Sequence, residues 1–132
     1  MKGKHNHRTT LLVTEDPALE DAARDVAKDL GEALRLAKDG QAASCTAFDA
    51  APEELVAIVD MEPHTGSRST IQTMAGLAPV VAVTHKTKPW LRSMLQHHRV
   101  QAEVSKPVSP ETLKEAVCRA RDTYGNDTAL HN

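Results

Sequence analysis

The apolar residues of this chain form short blocks separated by longer helical stripes. The blocks that predict strands lie at residues 11–13, 33–37, 54–60, 79–85 and 102–106. The third and fourth, "ELVAIVD" and "PVVAVTH", are almost uninterrupted runs of apolar residues. A strand covered by helices on both faces has a continuous apolar run, whereas a half-exposed strand alternates. The pattern therefore predicts a sheet buried between helices.

The first helix is predicted from Pro17 by apolar residues that recur at helical spacing. Proline is favourable in a first turn, and Gly31 is a typical C-terminal stop. The stripe consists of Leu19, Ala22, Ala23, Val26, Ala27 and Leu30. One face of this helix should therefore pack against the sheet.

The last helix has the clearest start signal in the sequence. Ser109 is a candidate N-cap, Pro110 occupies the first helical position, and Glu111 lies in the first turn, where a negative charge is favourable. Its apolar stripe consists of Leu113, Ala116, Val117, Ala120 and Tyr124. We expect residues 125–132 to form a flexible tail.

Further helices are predicted at 38–48, 67–76 and 88–98, so strands and helices alternate along the chain. This alternation is typical of an α/β fold with a five-stranded parallel sheet, doubly wound, and right-handed crossovers. The length of 132 residues is that of one domain. We place that domain at 9–124, after a flexible N-terminal tail at 1–8.

Composition and charge exclude several classes of protein. Sixteen Lys and Arg residues against eighteen Asp and Glu residues give a net charge of -2, without the basic block expected of a protein that binds nucleic acid or a membrane surface. No apolar stretch is long enough to cross a bilayer, and "MKGKHNHR" does not begin a signal peptide, so we expect a cytoplasmic protein. Cys45 and Cys118 have no nearby cysteine partner and are expected to be ordinary buried thiols.

Polar side chains follow the predicted strands at the ends where parallel strands meet. They are Thr14, Glu15 and Asp16 after the first strand, Asp60 after the third, Thr84 after the fourth and Lys106 after the fifth. Carboxyl ends of parallel strands share one edge of the sheet, which is where open α/β sheets bind ligands. Grouped carboxylate oxygens suit Mg²⁺. The sequence thus predicts an acidic, magnesium-binding site at this edge.

Five segments resemble the receiver domains of bacterial two-component response regulators, over about residues 10–124. They are "LLVTEDPAL", "AKDGQAA", "LVAIVD", "PVVAVT" and "SKPVSPETL", in the order and at the spacings that the family shows. Each motif is weak alone, and together they are specific. The resemblance implies a flavodoxin-like sheet of order 2-1-3-4-5.

The resemblance also implies a role for each strand-end residue. Asp60 would accept a phosphoryl group from a histidine kinase or a histidine phosphotransferase. Thr84 would bond a phosphoryl oxygen, and Lys106, before a cis proline bond, would pair with the carboxylate. The residues implied for Mg²⁺ are Glu15, Asp16, Asp60 and the backbone of Glu62. The chain would not be an enzyme beyond self-phosphorylation from small donors and autodephosphorylation.

The acidic segment can be aligned with the family in two ways. Alignment on Pro17 puts Thr14 at the first acidic position and makes Glu15 the main metal carboxylate. Direct alignment of Glu15 and Asp16 restores an acidic pair but displaces the proline. We favour the alignment on Pro17.

Two further positions depart from the family pattern. His85 follows Thr84, where a small residue usually leaves room for the phosphodonor. Glu103 lies three residues before Lys106, at the position that normally carries an aromatic residue.

Two functions of different classes are compatible with these residues. The first is a stand-alone receiver that is phosphorylated on Asp60 and signals by docking to a downstream protein. The second is a degenerate receiver that binds partners without being phosphorylated. The sequence leaves open whether the chain forms a homodimer.

Overall fold

The computed structural model describes residues 8–37, 54–61, 67–85, 93 and 100–130. The elements in chain order are β1 (Thr9–Val13), α1 (Pro17–Leu30), β2 (Ala33–Ala37), β3 (Leu55–Asp60), α2 (Ser67–Ala75), β4 (Val80–Thr84), β5 (Ala102–Ser105) and α3 (Pro110–Leu130). The five predicted strands and three of the predicted helices are therefore confirmed. The helix predicted at 38–48 and the end residues 1–7 and 131–132 lie outside the described residues, as does the helix predicted at 88–98 except for residue 93.

The five strands form one parallel sheet of order β2-β1-β3-β4-β5, as predicted. In the centre of the sheet, Leu12 lies opposite Ile58, and Asp60 lies opposite Val83. Because all strands run in one direction, their carboxyl ends lie along a single edge.

Apolar side chains bury the two faces of the sheet separately. One cluster joins the sheet to α1 and α3; its strand residues include Leu12, Val56, Ile58, Val81, Val83 and Val104. The other cluster joins the sheet to α2; its strand residues include Leu11, Val13, Ala57, Val59, Val80 and Ala82. Successive residues of a strand face opposite sides, so both faces of β1 after Thr10, of β3 before Asp60 and of β4 before Thr84 are apolar.

Helix α1 has the start and the stop that the sequence predicted. Asp16 is its N-cap, and its side chain accepts a hydrogen bond from the backbone N–H of Ala18 at 2.9 Å. At the other end Gly31 adopts the left-handed conformation with φ of 69°, and its N–H bonds the last carbonyls of the helix. The apolar stripe packs on the sheet between these caps.

Helix α3 begins where predicted but ends later. The Ser109 hydroxyl accepts a hydrogen bond from the backbone N–H of Thr112 at 3.2 Å. The helix continues past Tyr124 to Leu130, through the segment predicted as a flexible tail. A glycine such as Gly125 costs a helix only about 1 kcal/mol, too little to stop one that is already several turns long.

Two expectations about the surface can be compared with the structure. Cys118 is a free, exposed thiol, so the expectation of a buried one is wrong for it, whereas Cys45 lies outside the described residues. Within the ranges described here, each helix is too short or too polar to cross a membrane.

Candidate functional site

Asp60 is the centre of the site, at the carboxyl end of β3. The residue is only 1% exposed. Its Oδ2 accepts a hydrogen bond from Nζ of Lys106 at 3.0 Å and another from the hydroxyl of Thr14 at 2.5 Å. A buried carboxylate requires such donors, because an unpaired charge in the interior is strongly unfavourable.

Strand alternation explains why these three side chains meet. Thr14, Asp60 and Lys106 each lie two residues beyond an apolar residue of the cluster that faces α1 and α3. Side chains two apart along a strand point to the same face. The backbone N–H of Lys106 donates to the carbonyl of Thr84 at 2.7 Å, and the Lys106–Pro107 bond is cis, as the resemblance implied.

Lys106 also binds Asp16, the N-cap of α1. Its Nζ lies 2.9 Å from Asp16 Oδ2, so one ammonium group bridges two carboxylates. The bond from Lys106 holds the pKa of Asp16 below 3.8; burial opposes this less strongly, and the bond from the backbone N–H of Ala18 adds a smaller lowering effect. Burial acts to lower the pKa of Lys106, but its bonds to Asp16 and Asp60 outweigh burial and raise it above 10.5.

The acidic segment partly matches each of the two alignments. Thr14 lies in the site against Asp60, as the alignment on Pro17 predicts. Glu15 is exposed, however, and Asp16 contacts the site lysine instead. The hydroxyl of Thr14 also accepts from the backbone N–H of Asp16 at 3.0 Å, which fixes the turn between β1 and α1.

Thr84 lies at the end of β4 with its hydroxyl turned toward β5. The hydroxyl oxygen is 3.3 Å from Oε2 of Glu103 and 3.5 Å from the carbonyl oxygen of Val104. Thr84 is 1% exposed, so this orientation is set inside the protein.

The side chains of the site fit a weakly held Mg²⁺ ion in part. Asp16 and Asp60 supply hard oxygen donors, and Mg²⁺ in proteins is often bound by one or two carboxylates together with water and phosphate oxygens. Among the described residues, three or more His, Cys, Asp or Glu side chains do not gather into a metal site. Glu62, whose backbone the resemblance assigns to the metal, lies outside the described residues.

A recess of about 370 Å³ opens beside the site between the start of α1 and the segment before α3. Asp16, Lys106 and His85 line it on the polar side, and an apolar wall is formed by Leu19, Pro107 and Val108 among others. His85 is exposed at this recess. A partner group that approaches the Lys106 side of the site would pass His85.

Sequence reasoning missed a second buried ionic cluster, near the opposite edge of the sheet. Arg121 of α3 binds Glu32 through two nitrogens, at 2.5 and 2.8 Å, and Glu32 also accepts from the hydroxyl of Thr10 at 3.2 Å. The position of Arg121, four residues after Val117 of the apolar stripe, was the available signal for burial. Its acidic partner, 89 residues away, left no local signal.

Comparison with protein-family models finds no match, and comparison with curated protein sequences finds none either. Solved structures do match. The chemotaxis protein CheY4 of Vibrio cholerae has 22% identity and a TM-score of 0.71, and the alignment covers 86% of this chain and 98% of that one. A response regulator from Thermotoga maritima has 17% identity and a TM-score of 0.74, with coverage of 87% and 98%.

A third similar structure is the signal receiver domain of a signal transduction histidine kinase from Syntrophus aciditrophicus. It has 17% identity and a TM-score of 0.70, with coverage of 88% of this chain and 91% of that one. In all three, the similarity extends over most of both chains. The parallel sheet of order 2-1-3-4-5, with helices packed on it, therefore gives this chain the fold of the response-regulator receiver domains.

Proposed function

We propose that this chain is a signalling domain that accepts a phosphoryl group on Asp60. The observation that carries the proposal is the environment of this carboxylate. Asp60 is buried at a strand end, with the Lys106 ammonium nitrogen 3.0 Å from its Oδ2. A carboxylate held in this way is a nucleophile with a nearby cation to offset the charge of an incoming phosphoryl group.

The donor that fits this chemistry is a phosphohistidine on a histidine kinase or a histidine phosphotransferase. An oxygen of Asp60 would bond to phosphorus while the bond between phosphorus and the imidazole nitrogen breaks, which leaves an acyl phosphate and a neutral histidine after proton uptake. The recess lined by Asp16, His85 and Lys106 offers an approach from solvent. The solved receiver domain of a histidine kinase, which has the same fold, supports a partner of this class.

Mg²⁺ belongs to the proposal as a weakly bound cofactor. Asp16 and Asp60 would hold it, with exposed Glu15 and the backbone of Glu62 as further candidates. When bound, the ion would offset the charge of the transferred phosphoryl oxygens. The protein's own contribution is to pair the Asp60 side chain with the Lys106 ammonium group and to orient it through the Thr14 hydroxyl.

The alternative function is a receiver fold that binds partner proteins without phosphorylation. Thr14 favours this alternative. Its neutral hydroxyl bonds to Asp60 at the position where the alignment on Pro17 expects an acidic residue, which would attract a metal ion. In that case Lys106, Asp16 and Asp60 would form a structural ion network. The two functions differ in whether Asp60 reacts.

Labelling with acetyl phosphate and Mg²⁺, followed by intact-protein mass spectrometry, distinguishes the two functions. We expect one acid-stable, base-labile phosphoryl group on the wild-type protein and none on Asp60→Asn, because the amide is not a nucleophile for this reaction. Asp122→Asn removes an exposed carboxylate on α3 and should leave labelling unchanged. Equal labelling of the wild type and Asp60→Asn would refute the assignment. Absence of label, also with a histidine kinase as donor, would favour the binding module.

A further inference from the structure

Glu103 and Thr84 are brought together by the register of β4 and β5. Ala82 lies opposite Glu103, and Thr84 lies opposite Ser105. Glu103 and Thr84 are therefore diagonal neighbours on one face of the sheet, the face whose apolar cluster contains Ala82 and packs on α2. Their side chains are in contact, with 3.3 Å between the Thr84 hydroxyl and Oε2 of Glu103.

Asp60 points to the opposite face. It lies two residues beyond Ile58 and opposite Val83, and both of these belong to the cluster that faces α1 and α3. The hydroxyl of Thr84 lies against a carboxylate on one side of the sheet, while a phosphoryl group on Asp60 would lie at the edge on the other side. A hydroxyl has a single proton to donate, so the Glu103 carboxylate, the Val104 carbonyl at 3.5 Å and a phosphoryl oxygen would compete for it.

We infer that Glu103 is a positioning residue that restrains the side chain of Thr84. The Glu103 carboxylate holds the Thr84 hydroxyl toward β5. To bond this hydroxyl, a phosphoryl group on Asp60 must replace the carboxylate as the acceptor. The bond is long for an O–H donor, which keeps the restraint reversible. This inference rests on the proposed role of Asp60.

The restraint predicts a specific order of affinities for a phosphoryl analogue. Beryllofluoride with Mg²⁺ should bind Glu103→Leu more tightly than Glu103→Gln, and Glu103→Gln more tightly than the wild type. Glutamine keeps an acceptor oxygen without the charge, whereas leucine fills a similar volume without any acceptor. We expect the leucine variant to gain roughly fivefold, the factor that corresponds to one net hydrogen bond.

A double-mutant cycle shows whether Glu103 acts through Thr84. Thr84→Val removes the hydroxyl and keeps the shape, so in that background Glu103→Leu should change beryllofluoride affinity by less than about twofold. The control Asp122→Asn makes the same change of net charge as Glu103→Gln, on α3, and should leave affinity unchanged. A full gain in the Thr84→Val background, or no gain in the wild-type background, would overturn the inference.

A measurement on the free protein separates failure of this inference from failure of the proposed function. Three-bond couplings to the Thr84 methyl carbon report the rotamer of its side chain by nuclear magnetic resonance. We expect a single rotamer in the wild type and rotamer averaging in Glu103→Leu. If beryllofluoride binds none of the variants but this difference is present, the restraint holds and the proposed phosphoryl acceptor is wrong. If the couplings of the two proteins are identical, the restraint is refuted whatever the analogue does.

Discussion

Thr14 and Asp16 flank Glu15, which the alignment on Pro17 makes the main metal carboxylate. Thr14 bonds to Asp60, Asp16 bonds to Lys106, and Glu15 between them is exposed. Among the described residues, the charged groups in contact at the site include the carboxylates of Asp16 and Asp60 and the ammonium group of Lys106. A single substitution at Thr14 would change that balance.

Thr14→Asp should tighten Mg²⁺ binding by roughly tenfold. A carboxylate placed beside Asp60 adds about 1 to 4 kcal/mol of attraction for a cation, and solvent keeps the gain near the low end of that range. Calorimetric titration with Mg²⁺ measures the change. Thr14→Asn, of the same shape as aspartate but neutral, is the matched control and should not tighten binding. Equal affinities of the two variants would show that position 14 does not contribute to the metal site.

Asp16 should make stability sensitive to acid. Its pKa is lowered in the folded protein by the bond to Lys106, so the unfolded chain binds its proton first as the pH falls. The stability that Asp16 contributes is complete above its ordinary value of 3.8 and is lost as the pH falls below that value. Urea denaturation at about pH 7 and about pH 3 should show a smaller loss for Asp16→Asn than for the wild type, and asparagine preserves the N-cap. An equal loss in both proteins would mean that Asp16 is not paired in solution.

At the scale of the elements, α1 is defined by its two ends. Asp16 caps its first turn and also contacts the site, and Gly31 ends it with a φ of 69°. A side chain at Gly31 would meet no other atom within 4 Å, so only the backbone conformation requires glycine there. The stop signal in the sequence therefore has a single physical cause.

Gly31→Ala should lower the free energy of unfolding by about 1 kcal/mol, because an L-residue is disfavoured in the left-handed region. Gly76→Ala is the matched control, since a Cβ there would meet only the carbonyl oxygen of Thr73 at an ordinary 3.7 Å. We expect that variant to change stability by less than about 0.5 kcal/mol. Equal effects in urea denaturation would show that the backbone at Gly31 is not left-handed in solution.

At the scale of the whole molecule, the Glu32–Arg121 pair connects the beginning of β2 to the last helix. The Glu32 side chain is 1% exposed and that of Arg121 is 13% exposed. Nε of Arg121 is buried without a hydrogen-bond partner among the described residues. The pair is thus desolvated, and one of its nitrogens lacks a partner among the described residues. Removing one member should therefore destabilise the fold strongly, although the intact pair adds little net stability compared with an apolar pair of similar volume.

Arg121→Met should destabilise the fold by about 3 kcal/mol, because among the described residues it leaves the buried Glu32 carboxylate with the Thr10 hydroxyl as its remaining side-chain donor. Arg119→Met, on the same helix, breaks an exposed pair with Glu115 and should cost less than about 0.5 kcal/mol. The double variant Glu32→Leu/Arg121→Met should be more stable than Arg121→Met alone, because the unpaired buried carboxylate is removed. If Arg119→Met and Arg121→Met destabilise equally, the buried pair is not formed in solution.

The five strands, the first helix and the edge of the sheet that carries Asp60 and Lys106 could be predicted from the amino-acid pattern. The strands appear as short apolar blocks because both faces of the sheet are buried, and α1 appears as a stripe because one face of the helix is buried. Asp60 and Lys106 could be placed together because parallel strands end at one edge. These are local periodicities and a topological rule, and neither requires knowledge of distant contacts.

Other contacts, at that edge and elsewhere, depend on tertiary packing and could not be predicted from the sequence. Thr14 follows the alternation of β1 and faces Asp60, whereas the placement of Glu15 and Asp16 depends on the hydrogen bonds of the turn into α1. The contact of Thr84 with Glu103 depends on the register between β4 and β5. The pairing of Glu32 with Arg121 joins positions 89 residues apart, for which a single sequence carries no periodic signal. Contacts of this kind are determined by packing between elements, and the amino-acid pattern within each element does not contain them.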